Sequence, residues 1–83
     1  MSSVAVESRP LTDLALGESA DIVHLAGPPE IRMRLLEMGL TRGTTVRLVR
    51  VAPLGDPVEL AVRGYRLSVR KSEAAAVLIE SIG

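Results

Sequence analysis

The sequence contains no cysteine, no phenylalanine and no tryptophan among its 83 residues. The absence of cysteine excludes disulfide bonds, thiolate nucleophiles and metal sites built on cysteine, and it is typical of a reducing compartment. Ten basic and ten acidic residues give zero net charge, which removes the broad attraction that draws basic proteins to nucleic acid and anionic membranes. We therefore predict no nucleic-acid partner.

Long apolar runs are also missing from the chain. The longest unbroken run extends from Ala74 to Ile79, whereas a membrane-spanning helix needs about 20 apolar residues. The N-terminus lacks the basic segment and apolar stretch of a secretory leader. The sequence therefore predicts a cytoplasmic protein that meets a membrane only through a partner.

What the chain does contain is enough aliphatic residues for one domain. Apolar residues make up 47% of it, and domains typically hold roughly 100 to 150 residues, so a second core does not fit. Residues 1–10 are polar and end in a proline, which predicts a flexible N-terminal extension followed by a folded domain at 11–83. A core this small also leaves a weak homo-oligomer open as an alternative to a monomer.

Hydrophobic patterning predicts about five short strands and one helix. Segments rich in β-branched residues predict strands at 18–26, 45–51 and 77–80, and two more strands flank Gly64. The alternation slips within 45–51, as it does in a bulged strand. Short bent strands without βαβ spacing predict a mainly β fold, a small and partly open antiparallel barrel.

The helix is predicted from Pro28 to about Met38, with an apolar stripe facing the core. Gly39 follows as its C-terminal stop. Two short helical turns, capped by Thr12 and Ser72, are expected at the flanks of the strands.

The predicted hairpin at residues 58–70 has a two-residue type II′ turn at Gly64-Tyr65. In this register Arg63 lies opposite Arg66, and Glu59 lies opposite Arg70. Like charges placed directly opposite each other destabilise a hairpin unless something offsets them. The two arginines therefore suggest either a solvated face relieved by carboxylates or a surface that meets a partner.

Catalysis and metal binding find little support in the residue pattern. No nucleophile and base, and no Gly-rich phosphate loop, can be read from the sequence, so we predict that the chain is not an enzyme. His24 is the single imidazole, alternation puts it on the same face as Ile22, and Asp21 and Glu30 have no ligand-type spacing with it. Because a stable divalent site needs about three protein ligands, we predict no cofactor and no metal site within one chain. A site that joins His24 to acids of neighbouring chains remains the alternative.

Four motifs in order carry a resemblance to a known family. They are RLLEMGL at 34–40, APLGDP at 52–57, VRGY at 62–65 and LSVR at 67–70. Through them the chain resembles the FeoA family over roughly residues 11–80. The resemblance implies an SH3-like barrel that acts in the cytosol as the small companion of FeoB, the membrane ferrous-iron transporter with a G-protein domain. Family descriptions also attach a transition-metal-binding label.

Two other functions stay open beside this one. A related SH3-like domain occurs at the C-terminus of iron-dependent repressors. A stand-alone modulator of such a regulator is therefore the alternative. An RNA-associated SH3-like barrel is a third class, and zero net charge without interleaved aromatic residues argues against it.

The candidate partner-binding residues lie at the helix end, in the proline-rich loop and at the hairpin tip. Arginine suits bidentate contact with carboxylates, tyrosine is enriched at interface hot spots, and loops on rigid scaffolds often carry function. The candidates are Met38, Gly39, Leu40, Leu54, Gly55, Asp56, Arg63, Tyr65 and Arg66.

Overall fold

Six antiparallel strands form one sheet in the computed structural model, which describes residues 8–80. The strands are β1 (Ser8–Pro10), β2 (Ser19–Leu25), β3 (Thr45–Val51), β4 (Val58–Val62), β5 (Tyr65–Val69) and β6 (Val77–Glu80). Their order in the sheet is β1-β6-β2-β3-β4-β5, so β1 and β5 are its edges. Helix α1 (Pro29–Glu37) links β2 to β3, a 3-10 turn (Leu11–Asp13) follows β1, and α2 (Lys71–Ala74) precedes β6.

The predicted mainly β class is confirmed, and the sheet has one strand more than expected. Ser8–Pro10, expected in the N-terminal extension, forms β1 instead and pairs with β6. Proline is tolerated there because an edge strand leaves one side of its backbone unpaired. The rest of the expected extension, residues 1–7, and the end of the expected domain, 81–83, lie outside the described residues.

The core is aliphatic and lies on the inner face of the sheet. Val58, Leu60 and Val62 alternate into it from β4, and Leu35 of α1 packs on it as the one fully buried residue of that helix. Each fully buried aliphatic side chain of this size contributes about 1.5–3 kcal/mol relative to exposure. The predicted apolar stripe of the helix therefore does face the core.

Two bulges bend the sheet. One lies between Leu48 and Arg50 in the β3–β4 pairing, where the sequence alternation slips as predicted. The other lies between Ile22 and His24 in the β2–β6 pairing. It leaves Ile22 buried and His24 exposed, so the prediction that these two side chains share a face is wrong. An extra residue in one strand reverses the alternation beyond it.

The β4–β5 hairpin corrects the predicted turn. The turn residues are Arg63 and Gly64, with φ of 46° and 86°, as a type I′ turn requires. Val62 pairs with Tyr65. The predicted II′ turn at Gly64-Tyr65 is therefore wrong, and so is the placement of Arg63 opposite Arg66.

The physical reason for this error is the period of a strand. Glu59 lies opposite Ser68 rather than opposite Arg70, which shifts the pairing by two residues from the prediction. A two-residue shift keeps every side chain on its own face, so hydrophobic alternation fits both registers equally well. The turn geometry decides between them.

The predicted helix caps are also corrected. Thr12 lies inside the 3-10 turn, which follows Pro10 without a side-chain cap. The α2 helix is capped by Glu73 rather than by Ser72, because its Oε1 accepts the backbone N–H of Arg70 at 3.0 Å. Helix α1 begins and ends within one residue of the prediction.

Candidate functional site

The nine candidate residues divide between the two ends of β4. We call the turn end the surface made by the α1 C-terminus, Met38 and Gly39, together with the β4–β5 turn, 63–66. We call the loop end the loop at 52–57, which joins β3 to β4. A five-residue strand separates them by roughly 14 Å, so the helix end and the hairpin tip share one surface and the proline-rich loop lies on another.

The C-terminus of α1 is built as a Schellman motif. The backbone N–H of Leu40 donates to the carbonyl of Leu35 at 3.0 Å, and the N–H of Gly39 donates to that of Leu36 at 2.9 Å. Gly39 has a φ of 89°, the left-handed conformation that this motif requires. The chain therefore reverses sharply at Gly39.

Leu40 is carried inward by this reversal. It is fully buried, and the motif typically brings such a residue back against the last turn of the helix. The prediction that Leu40 contacts a partner is therefore wrong, because it belongs to the core.

Tyr65 ties the hairpin to the end of the helix. Its hydroxyl donates to the carbonyl of Met38 at 2.9 Å, one of the carbonyls that a helix C-terminus leaves without an intrahelical partner. A Cβ on Gly39 would overlap this hydroxyl. Glycine is thus required at this position both for its φ and for the approach of Tyr65, a residue that stays 43% exposed.

The two arginines of the turn end, Arg63 and Arg66, have different neighbours. Arg63 donates from Nη2 to Oγ1 of Thr44 at 3.4 Å, and that buried hydroxyl also bonds Oγ1 of Thr41 at 2.8 Å. Arg66 extends over the outer face of the sheet, 3.7 Å from Oε2 of Glu59. The expected repulsion between opposed arginines does not arise.

Two backbone bonds close the loop end, and a third bond ties it to α2. The N–H of Gly55 donates to the carbonyl of Ala52 at 2.8 Å, and the N–H of Ala52 donates to that of Pro57 at 3.0 Å. Asp56 accepts the backbone N–H of Lys71 at 2.9 Å through Oδ1. Leu54 stands at the tip of this loop, 95% exposed.

A buried carboxylate joins the two helices, and the sequence analysis missed it. Glu73 accepts the N–H of Arg70 and, at 2.9 Å, Nη1 of Arg34. The hydrogen bond from Arg70 lowers the pKa of this carboxyl below its usual value, with Arg34 acting in the same direction and burial opposing them. Because Arg34 and Glu73 lie 39 residues apart, no local pattern in the sequence reveals the pair.

His24, the single imidazole of the chain, lies on β2. Between residues 8 and 80, no three side chains of the His, Cys, Asp and Glu types lie close enough together to hold a metal ion. His24 is exposed on β2. Of the helices in the same range, none is both long and apolar enough to span a membrane.

Comparison with known proteins identifies the family. Residues 9–81 match the family model described as FeoA domain. The chain belongs to the FeoA family. It is 40% identical over 72 residues to the Fe(2+) transport protein A/Fe(2+) transporter FeoB fusion protein of Porphyromonas gingivalis. That match covers 87% of this chain and spans only 8% of the fusion protein.

Solved structures of FeoA proteins share the fold. An FeoA-like protein of Clostridium acetobutylicum has a TM-score of 0.85 at 33% identity, covering 92% of this chain and 88% of its own. FeoA of Stenotrophomonas maltophilia, described as an SH3 domain protein complexed with zinc, has a TM-score of 0.74 at 32% identity, covering 86% and 88%. The predicted SH3-like fold is thus confirmed.

The fold reaches beyond the FeoA proteins. A manganese-dependent transcriptional repressor has a TM-score of 0.83 at 13% identity, covering 94% of this chain and 44% of its own. At such low identity the likeness shows a shared fold alone.

Proposed function

We propose that this FeoA-family chain is a non-enzymatic accessory of ferrous-iron uptake that docks on the cytosolic part of an FeoB-type transporter. The observation that carries the proposal is the Porphyromonas gingivalis protein, in which a segment 40% identical to this chain is fused to FeoB. A covalent link holds two modules at a high effective concentration. The proposal requires a surface of this domain that contacts the transporter.

The turn end is the docking surface in this proposal. It offers an exposed aromatic ring beside the arginines Arg63 and Arg66, the residue types enriched at interface hot spots. The ring of Tyr65 is already held by Met38, so little side-chain freedom is lost on binding. Preorganisation of this kind raises affinity because it lowers the entropic cost of association.

Docking would act on the transporter by shifting its conformational equilibrium. A bound module favours one state only by the difference in its affinity for the two states. In this proposal the chain therefore contacts the transporter's G domain differently in its two nucleotide states. It supplies no reacting group of its own.

The alternative, a modulator of an iron-dependent repressor, has weaker support. Its argument is the shared fold at 13% identity, and a shared fold does not imply a shared function. The transporter proposal rests on a closer relative.

Binding measurements with the cytosolic part of the transporter test the proposal. The full chain should bind it with GDP or with a GTP analogue, more tightly in one state than in the other. Arg66→Glu should weaken binding at least tenfold, and Arg32→Glu, which reverses an exposed arginine on α1, should change it less than twofold. Absence of binding in both nucleotide states, and to the detergent-solubilised transporter, would refute the proposal.

A further inference from the structure

The outer edge of β5 carries backbone groups that point away from the sheet. β5 is an edge strand whose neighbour is β4, and the pair Val62–Tyr65 closes the two-residue turn. In an antiparallel pair, hydrogen-bonded and non-hydrogen-bonded positions alternate. Leu67 and Val69 therefore bond to β4 as Tyr65 does.

The residues between them face outward. By the same alternation, Arg66 and Ser68 direct their N–H and C=O groups away from β4. Both residues are exposed, and no other strand or loop of residues 8–80 hydrogen-bonds to these outward groups. β5 can thus accept a further strand without losing any bond it already has.

Positive charge follows this edge. Arg63 and Arg70 lie at the two ends of β5, and Arg66 lies between them. On the outer face of the sheet, Arg66 is in register with Ala61 and Arg47.

A second row lies beside the first on this face. Ser68 is in register with Glu59 and Arg50, and these three residues border a shallow recess of about 230 Å³. The two rows hold three arginines against one carboxylate. Although the chain has no net charge, its positive side chains are therefore concentrated on the face beside the open edge.

We propose that β5 binds an extended, acidic segment of the transporter's cytosolic part as a seventh strand. The inference rests on the proposed docking and specifies how it is made. Backbone hydrogen bonds from Arg66 and Ser68 supply affinity that is independent of sequence, as in other cases of strand addition. Carboxylates at alternate positions of the segment lie on the outer face, where Arg66 and its neighbours meet them.

The charges favour this occupant over a second copy of the chain. Antiparallel pairing of β5 with another β5 would bring Arg66 towards its own equivalent and Arg63 towards Arg70 of the other copy, and like charges across a strand pair are destabilising. A nucleic acid would match the charge but has no peptide backbone to continue the ladder. An acidic polypeptide can both hydrogen-bond to the backbone of the edge and neutralise the arginines.

A proline substitution separates strand addition from ordinary surface contact. Ser68→Pro removes an N–H that bonds nothing within the sheet, and proline is tolerated at such edge positions. It should weaken binding to the cytosolic part of the transporter at least tenfold. The matched control Ser68→Ala keeps the N–H and should bind within twofold of wild type. Equal binding by both variants would overturn strand addition while leaving the proposed function intact.

Amide hydrogen exchange on the wild-type chain gives a second measurement that needs no variant. Binding of the transporter's cytosolic part should slow exchange at Arg66 and Ser68 at least tenfold and change Leu67, already bonded to β4, much less. Unchanged exchange at Arg66 and Ser68 in a formed complex would overturn the inference. Failure of the wild-type chain to bind would instead overturn the proposed function.

Peptide probes test the chemistry of the segment. A seven-residue peptide of alternating glutamate and valine should produce the same protection, whereas its lysine and valine counterpart should not. N-methylation of alternate amides of the acidic peptide should abolish protection for one of the two methylation patterns. Protection that grows with protein concentration in the absence of any peptide would overturn the inference in favour of pairing between two copies.

Discussion

The two ends of β4 are stabilised in different ways. At the turn end, Tyr65 and Arg63 bond to residues of α1 and of the turn that follows it. At the loop end, the loop at 52–57 is closed mainly by its own backbone, and Leu54 extends into solvent. The shape of the turn end therefore depends on distant parts of the chain. The loop end can change its surface with little effect on the rest of the domain.

The largest difference between the ends is expected for a glycine-to-alanine change. Gly39 and Gly55 have nearly the same φ, 89° and 86°, but only Gly39 has the Tyr65 hydroxyl in the way of a Cβ. Gly55→Ala should cost about 1 kcal/mol of unfolding free energy from backbone strain. Gly39→Ala should cost about 3 kcal/mol, because Tyr65 must also move and lose its hydrogen bond. Urea denaturation measures both.

A double variant checks the cause of that difference. In the Tyr65→Phe background the hydroxyl is absent, so Gly39→Ala should lower the unfolding free energy only about as much as Gly55→Ala does. The coupling free energy between positions 39 and 65 should therefore be roughly 1–2 kcal/mol. If the effects of the two changes were simply additive, the hydroxyl would not be the cause of the larger loss at Gly39.

The second effect concerns the start of α2, which is bonded by two carboxylates, Glu73 of α2 itself and Asp56 of the loop end. Glu73 is buried and also holds Arg34, whereas Asp56 is exposed and bonds only the N–H of Lys71. Glu73→Ala should lower the unfolding free energy by about 2 kcal/mol, and Asp56→Ala by about 0.5–1 kcal/mol. Equal losses would mean that the contact with α1 adds nothing to the cap.

Glu73 also makes the stability of the domain depend on pH. Its pKa in the folded chain lies below the ordinary 4.5, so the stabilisation is complete at neutral pH and is lost as the pH falls through the folded value. Wild type should therefore lose stability more steeply than Glu73→Gln below about pH 4.5. Thermal melts between pH 7 and pH 3 measure the difference, and parallel curves for the two proteins would contradict it.

The sequence could predict the strands and the helix but not how they meet. The run of β-branched residues located β3 to the residue, and the two prolines located the start of α1. These signals are local, with a period of two or of 3.6 residues. The predicted hairpin register was wrong because hydrophobic alternation does not distinguish two registers that differ by two residues. The predicted face of His24 was wrong because a bulge interrupts the period of two.

The candidate partner-binding residues show the same limit. Residues 34–40 and 52–57 have motif-like sequences, but nothing in either motif shows that β4 keeps them apart. Leu40 was grouped with its half-buried neighbours Met38 and Gly39 because the left-handed turn that buries it depends on the conformation of Gly39. The bond from Tyr65 to Met38 spans 27 residues, and such contacts are fixed by topology rather than by local pattern.

A smaller effect is expected when the turn end loses one hydrogen bond. Tyr65→Phe removes the hydroxyl and leaves the carbonyl of Met38, near the surface, free to bond water. The unfolding free energy should fall by about 1 kcal/mol. Affinity for the transporter's cytosolic part should fall three- to tenfold, because the ring is then held less firmly. A loss of stability with unchanged affinity would remove Tyr65 from the docking surface.

The smallest expected change sharpens the comparison most, because it tests the loop end alone. Leu54→Ala removes a side chain that is 95% exposed, and substitutions at such positions usually change stability by less than about 0.5 kcal/mol. The domain should therefore melt as wild type does. If docking uses the turn end, transporter binding should also stay within twofold, whereas Arg66→Glu reduces it at least tenfold. A tenfold loss for Leu54→Ala would move the docking surface to the loop end, because an exposed leucine that does not stabilise the fold would then be there for a partner.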